Sequence, residues 1–149
     1  MFLAEKKEMV GKYMETKSNF KGEDGEEWIS EAVKLFGWEV IKFDWWQPSA
    51  DRLFYKEGKA LLAQLKYKEP RIYYPDTGLE RYRFVKFRNM VNQSGIRGII
   101  LFTDSASEIY GNYEDLLKDE IHGGEYNKKD NTTMIYFWLK DLKKLKELL

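Results

Sequence analysis

A carboxylate, an amide and an ammonium group lie close together in the middle of the chain. Gln64 and Lys66 are two residues apart in the segment ALLAQLKYKEP, which begins as an apolar run typical of a buried strand. A second strand candidate begins at Asp51, and the intervening residues 56–59 (KEGK) indicate a tight turn. A symmetric turn brings Asp51 directly opposite Gln64 and places Lys66 one step along the same face, unless a bulge shifts the register.

These three residue types suggest a metal site beside a cation. The carboxylate of Asp51 and the amide oxygen of Gln64 are hard oxygen donors, which suit Mg²⁺ or Mn²⁺. Lys66 can orient and help deprotonate a metal-bound water, or neutralise charge that develops on a phosphate. The competing interpretation is structural, with an ion pair between Asp51 and Lys66 at the end of a hairpin.

The hairpin pattern resembles that of the PD-(D/E)xK nuclease superfamily. Pro48-x-x-Asp51 is followed, after twelve residues, by Gln64-x-Lys66. In that superfamily an acidic residue opens one strand and (D/E/Q)xK lies on the next, and glutamine in place of the acid is found in Mrr-like restriction nucleases. The resemblance covers residues 21–103.

The region before the hairpin is similar to that of archaeal Holliday junction resolvases, in which a helix acid precedes a glycine-aromatic-x-valine segment. Here Glu26 or Glu27 precedes residues 37–40 (GWEV). A helical wheel places Glu26 nearer the apolar face, whereas the spacing from Gly37 favours Glu27. We take Glu26 as the candidate and leave Glu27 open, because a first-turn glutamate is also favoured by the helix dipole alone.

The resemblance implies a metal-dependent DNA endonuclease that hydrolyses phosphodiester bonds. It implies Mg²⁺ or Mn²⁺ bound by Asp51, Gln64, Glu26 and the backbone carbonyl of Leu65, with Lys66 positioning the nucleophile. A homodimer is also implied, since cutting two strands needs two sites. The amide of Gln64 departs from the family acid. Two alternatives therefore remain: a catalytically inactive nucleic-acid-binding module on the same fold, and a small protein-interaction domain.

The order of the predicted elements is that of a single α/β domain with a central mixed sheet flanked by helices, and the resemblance implies that its core is restriction-endonuclease-like. Residues 1–20 are expected to form an N-terminal helical extension, 21–103 the core that carries the motif, and 104–149 a helix-strand-helix. The predicted helices are 2–15, 24–36, 80–92, 105–120 and 140–149. The predicted strands are 38–43, 51–55, 60–68, 97–103 and 132–139.

The charge of the chain balances, but its distribution does not. The 149 residues carry 25 basic and 25 acidic side chains, whereas residues 51–100 alone have a net charge of +6. Tyrosines are interleaved with these cations, which suits contact with a DNA backbone, although a solvated basic face is the simpler alternative. The candidate DNA-binding residues are Lys68, Arg71, Arg81, Arg83 and Lys86.

Two absences in the sequence limit the cellular setting. There is no cysteine, so no disulfide framework is possible. The first residues lack the apolar core of a signal peptide, and no apolar run approaches membrane-spanning length. We therefore expect a soluble, intracellular (cytoplasmic) protein with no membrane association; the partner that the resemblance implies is DNA.

Overall fold

The computed structural model describes residues 23–43, 49–71, 74–117, 122–127 and 132–149. The helices are α1 (Glu23–Leu35), α2 (Arg81–Ser94), α3 (Glu114–Leu117) and α4 (Leu145–Leu148), with a 3-10 turn at Leu139–Asp141. The strands are β1 (Glu39–Lys42), β2 (Arg52–Lys56), β3 (Lys59–Tyr67), β4 (Asp76–Glu80), β5 (Gly98–Thr103), β6 (Ile109–Tyr113), β7 (His122–Asn127), β8 (Thr132–Trp138) and β9 (Lys143–Lys144). The predicted N-terminal extension, 1–20, lies outside the described residues. No helix in the described segments is both long and apolar enough to cross a membrane.

Six strands form a central mixed sheet in the order β1-β2-β3-β5-β6-β9. β3 and β5 are parallel, and the other neighbouring pairs are antiparallel. The crossover between β3 and β5 runs through β4 and α2, and β4 joins β8 and β7 in a separate three-stranded sheet. The predicted α/β architecture, a mixed sheet flanked by helices, is therefore confirmed.

The β2–β3 hairpin has the register that the sequence predicts along the length of β2. Its turn residues Glu57 and Gly58 both have positive φ, 51° and 80°, as in the type I′ turn that matches the natural twist of two strands. The pairs run from Lys56 with Lys59 to Arg52 with Ala63. The turn chemistry thus determines which residues meet at the far end of the hairpin.

The central sheet separates two apolar clusters. Leu61 and Leu65 of β3 pack with α1 on one face. Leu62 lies in the other cluster, with Phe84 and Phe87 of α2. Because side chains alternate along a strand, the even-numbered positions of β3 face α2. Both faces of β3 are buried, which explains its nearly continuous apolar run.

The C-terminal third differs from the predicted helix-strand-helix. The helix predicted over 105–120 is wrong: this segment forms β6 and then the short α3. The apolar spacing from Ile109 to Leu117 is compatible with a helix, but pairing with the edge of β5 overrides that local pattern. Gly111 permits the close approach, since a Cβ there would lie 1.9 Å from the carbonyl oxygen of Ile100. The helix predicted over 140–149 is reduced to α4 by the 3-10 turn and β9.

Two segments for which neither a helix nor a strand was predicted contain strands of the second sheet. β4 begins between the predicted strand 60–68 and the predicted helix 80–92, and β7 lies between the predicted helix 105–120 and the predicted strand 132–139. Both strands pair with β8. Their polar and glycine-containing sequences give little alternation, so only the strongly β-prone β8 was recognisable before its partners were known.

We expect Gly25→Ala to destabilise the protein although alanine favours helices. A Cβ at this position in α1 would lie 2.9 Å from Cβ of Tyr67 and 3.2 Å from Cγ2 of Thr103. Overpacking of this kind costs about 1–3 kcal/mol, whereas the gain in helix propensity is about 1 kcal/mol. Urea denaturation measures the net effect.

The matched control is Lys34→Ala in the exposed last turn of the same helix, which should change the free energy of unfolding by less than about 0.5 kcal/mol. A Gly25→Ala protein more stable than the wild type would show that α1 does not need this close approach to β3.

Candidate active site

Asp51 lies where the hairpin ladder ends. β2 begins at Arg52, which pairs with Ala63, and the N–H of Asp51 also donates to the Ala63 carbonyl at 2.9 Å. The predicted direct pairing of Asp51 with Gln64 is therefore not part of the ladder. The chain bends at Asp51, and its Oδ2 accepts the backbone N–H of Leu65 at 2.8 Å instead of a ladder bond.

Glu26 meets Asp51 from the first turns of α1. Burial, and then the charge of Asp51, raises the pKa of Glu26 from 4.5 to about 7, and the two carboxyl groups are hydrogen-bonded. Burial also raises the pKa of Asp51, opposed by the hydrogen bond from Leu65 N–H. The two side chains, which we call the acid pair, therefore share a proton near neutral pH.

The buried side chain of Arg52 packs against the acid pair. Arg52 is only 4% exposed, and it donates to Ser30 Oγ at 3.1 Å, to the Asp51 carbonyl at 3.0 Å and to Glu27 Oε1 at 3.0 Å. Its other contact is Glu26 Oε1, at 3.9 Å. The two glutamates thus have different partners: Glu26 is hydrogen-bonded to Asp51, and Glu27 accepts a hydrogen bond from Arg52. This role of Arg52 was not predicted from the sequence.

Gln64 and Lys66 lie on the face of β3 that is turned towards α2. Gln64 is 3% exposed. Lys66 Nζ lies 2.6 Å from Glu80 Oε1. Within the described chain, the ion-pair partner of Lys66 is thus Glu80 and not Asp51, so the hairpin ion pair of the structural interpretation does not form. Although burial opposes the effect, the bond from Lys66 lowers the pKa of Glu80 below its ordinary value.

Glu80 is a site residue that the sequence analysis missed. It ends β4 and immediately precedes α2, and Arg83 Nε lies 3.2 Å from its second carboxylate oxygen. In the sequence it was only the first residue of a predicted helix. Its approach to Lys66 depends on β4, which was not predicted.

Three of the candidate DNA-binding residues are exposed on α2: Arg81, Arg83 and Lys86. Tyr82 lies beside them and is 49% exposed. Lys68 is half-buried just beyond β3, and its N–H donates to the Thr103 carbonyl.

The side chain of Arg71 is paired with a buried carboxylate. Its Nε and NH2 donate to the two carboxylate oxygens of the fully buried Asp76 at 2.7 and 2.6 Å. The guanidinium also stacks over Tyr136, 3.7 Å from the ring centre. A bidentate, stacked arginine of this kind fixes the start of β4, and its charge is already balanced.

The donor atoms around the acid pair fit a magnesium-type ion. Within the described segments, no group of three or more His, Cys, Asp or Glu side chains could hold a metal ion. Glu26 and Asp51 contribute two carboxylates. In β3 the N–H groups of Leu62 and Lys68 point to the β5 side, so the backbone carbonyl of Leu65 points to the Asp51 side. One or two carboxylates completed by neutral oxygens and water is the usual Mg²⁺ environment.

The comparisons with known proteins give matches to solved structures. No protein-family model and no curated protein sequence matches the chain. Hjc of Archaeoglobus fulgidus, a Holliday junction resolvase, aligns over 83% of this chain and 90% of its own, with a TM-score of 0.61 and 9% identity. The chain has the restriction-endonuclease-like fold. A bacterial homing endonuclease, I-Ssp6803I, aligns over 82% of this chain and 75% of its own, with a TM-score of 0.51 and 16% identity.

The restriction-endonuclease-like fold is the one that the hairpin pattern implied, so the predicted fold resemblance is confirmed. At these identities the likeness establishes the fold alone. The roles of Glu26, Asp51, Gln64, Leu65 and Lys66 remain predictions.

Because the pKa of Glu26 is raised in the folded protein, we expect the free energy of unfolding without metal to fall as the pH rises. Glu26 has a pKa of about 7 in the folded protein and about 4.5 when unfolded, so the folded state binds more protons between these values. Its contribution to stability is complete below pH 4.5 and is lost as the pH rises through 7. We expect a decrease in the free energy of unfolding of about 2 kcal/mol between pH 5 and pH 8, measured by urea denaturation in EDTA.

Glu26→Gln should abolish most of this decrease, because an amide cannot titrate. Glu31→Gln on the outer face of the same helix is the matched control and should retain it. An equal decrease in the wild type and in Glu26→Gln would mean that another group causes the pH dependence.

Proposed function

We propose that this protein is a metal-dependent DNA endonuclease that hydrolyses phosphodiester bonds. The observation that carries the proposal is the hydrogen-bonded Glu26–Asp51 pair at the end of the β2–β3 hairpin, with Lys66 on the adjoining strand. Two carboxylates sharing a proton in a nuclease fold form a ready site for a divalent cation, which can replace that proton. The two structural relatives, a junction resolvase and a homing endonuclease, support a nuclease over other activities.

The site residues would have different roles in hydrolysis. Glu26, Asp51, the Gln64 amide oxygen and the Leu65 carbonyl would hold Mg²⁺ or Mn²⁺, which supplies a positive charge and acidifies bound water. Lys66 lies two positions beyond Gln64 on the same face of β3, and its Nζ is 2.6 Å from Glu80 Oε1. An ammonium group at this position is suited to positioning the attacking water and to neutralising charge on the phosphate.

The DNA backbone would lie along the exposed basic face of α2. Arg81, Arg83 and Lys86 supply phosphate contacts there, and Lys68 lies near the motif strand. We leave Arg71 out of this surface because Asp76 already neutralises it. We also propose that the enzyme acts inside the cell as a homodimer, since cutting both strands of a duplex or junction needs two sites.

A second candidate is a DNA-binding module that has lost catalysis. It is favoured by Gln64, a neutral amide where the nuclease pattern usually has an acid, and by the pairing of Glu80 with Lys66 and Arg83. This candidate predicts DNA binding without metal-dependent cleavage.

Cleavage should require both the metal and Lys66. We expect nicking of supercoiled plasmid or of a labelled four-way junction in Mg²⁺ or Mn²⁺, and none in EDTA. Asp51→Asn and Lys66→Ala should each reduce the rate at least about 100-fold, because the first removes a carboxylate that would hold the metal and the second removes the ammonium that would neutralise charge on the phosphate.

Lys59→Ala is the matched control, since Lys59 is exposed at the opposite end of the same strand, and its rate should stay within about twofold of the wild type. Circular dichroism checks that each variant is folded. DNA binding without cleavage by the wild type would favour the inactive module. Neither binding nor cleavage would contradict both candidates.

A further inference from the structure

One carboxylate is ion-paired with two cations of the candidate site. Glu80 Oε1 lies 2.6 Å from Lys66 Nζ, and Glu80 Oε2 lies 3.2 Å from Arg83 Nε. Lys66 comes from β3 and Arg83 from the first turn of α2, so neither cation is fixed relative to the other by its own element. Glu80 lies between them at the junction of β4 and α2, with its side chain only 18% exposed.

Arg83 belongs electrostatically to the acid pair. Its charge acts on both Glu26 and Asp51, where it favours the ionised carboxylates. Its side chain is 46% exposed, so it also remains accessible to a ligand. Arg83 is therefore both ion-paired with Glu80 and accessible to solvent, as expected of a residue that receives a phosphate beside the candidate metal site.

We propose that Glu80 is a positioning residue of the nuclease site, which holds Lys66 and Arg83 at the acid pair and sets the charge that an incoming phosphate meets. This inference rests on the proposed function. Glu80 neither holds the metal nor touches the reacting atoms, and it acts through the two cations. It explains why a buried carboxylate is placed beside a site that must bind an anion.

The proposal predicts opposite effects on binding and turnover. With Glu80 ionised, the three side chains carry a net charge of +1, and a neutral residue at this position raises it to +2. DNA phosphates should then bind more tightly. Lys66 and Arg83, however, lose the carboxylate that orients them, so turnover should fall. A purely structural ion pair would weaken stability without separating these two quantities.

The test compares Glu80→Gln, Glu80→Asp and a control. For Glu80→Gln we expect kcat to fall about 10- to 100-fold, as for other residues that orient a catalytic group. The Kd for a labelled four-way junction in EDTA should decrease about two- to fivefold, with a steeper salt dependence. Glu80→Asp keeps the charge on a shorter side chain, so it should retain wild-type affinity while losing turnover.

The matched control is Glu114→Gln. Glu114 is 5% exposed and pairs at 3.0 Å with Arg88, on the same helix as Arg83. It should lower the melting temperature but leave kcat and KM within about twofold of the wild type. Wild-type kcat in Glu80→Gln would overturn the proposal. So would a loss of stability like that of Glu114→Gln with no opposed change in kcat and Kd.

A nitrogen-15 NMR measurement separates this proposal from the nuclease assignment. The Lys66 ammonium and Arg83 Nε–H signals should be protected from solvent exchange in the wild type and in Glu114→Gln, and should disappear in Glu80→Gln. If the wild-type protein cleaves no DNA, the nuclease assignment fails while protected signals still support the positioning role of Glu80. Signals that persist in Glu80→Gln would overturn that role whether or not DNA is cleaved.

Discussion

The arrangement of the site depends on the buried guanidinium of Arg52. Removing this charge from water is costly, and the cost is offset by its bonds to Ser30, Glu27 and the Asp51 carbonyl and by the nearby carboxylate of Glu26. These bonds join α1 to the start of β2. They fix the two elements that carry Glu26 and Asp51, whose side chains would otherwise repel each other. A substitution that removes one of these partners would leave the buried charge of Arg52 without full compensation. Single substitutions at this contact are therefore poorly tolerated.

The site alternates opposite charges over a short distance. The charges of Arg52 and Arg83 both act on Glu26 and Asp51, and Glu80 is ion-paired with Lys66 and Arg83. Each carboxylate therefore has a cation near it, and the pKa of Glu26 is raised because burial and the charge of Asp51 outweigh that compensation. Such a site is close to neutral without ligand, and it can accept a cation and a phosphate together.

The sequence was most informative where local rules determine structure. The turn at Glu57–Gly58 sets the hairpin register, and the wheel of α1 favoured the glutamate that meets Asp51. The prediction failed where long-range pairing decides. β6 has a helix-like pattern, and β4 is short, polar and glycine-containing, so neither is evident without its neighbour. Glu80 was missed for the same reason, because only the position of β4 brings it to Lys66.

β3 serves two purposes through the period of two in its side chains. Leu61, Ala63 and Leu65 support α1, whereas Gln64 and Lys66 line the site. Substitutions at the even positions can therefore change the chemistry of the site while the contact with α1 stays intact. An insertion of a single residue into this strand would exchange the two faces, burying Lys66 against α1 and exposing Leu65 to the site. β3 therefore tolerates substitutions at the positions that line the site, but it does not tolerate the insertion of a residue.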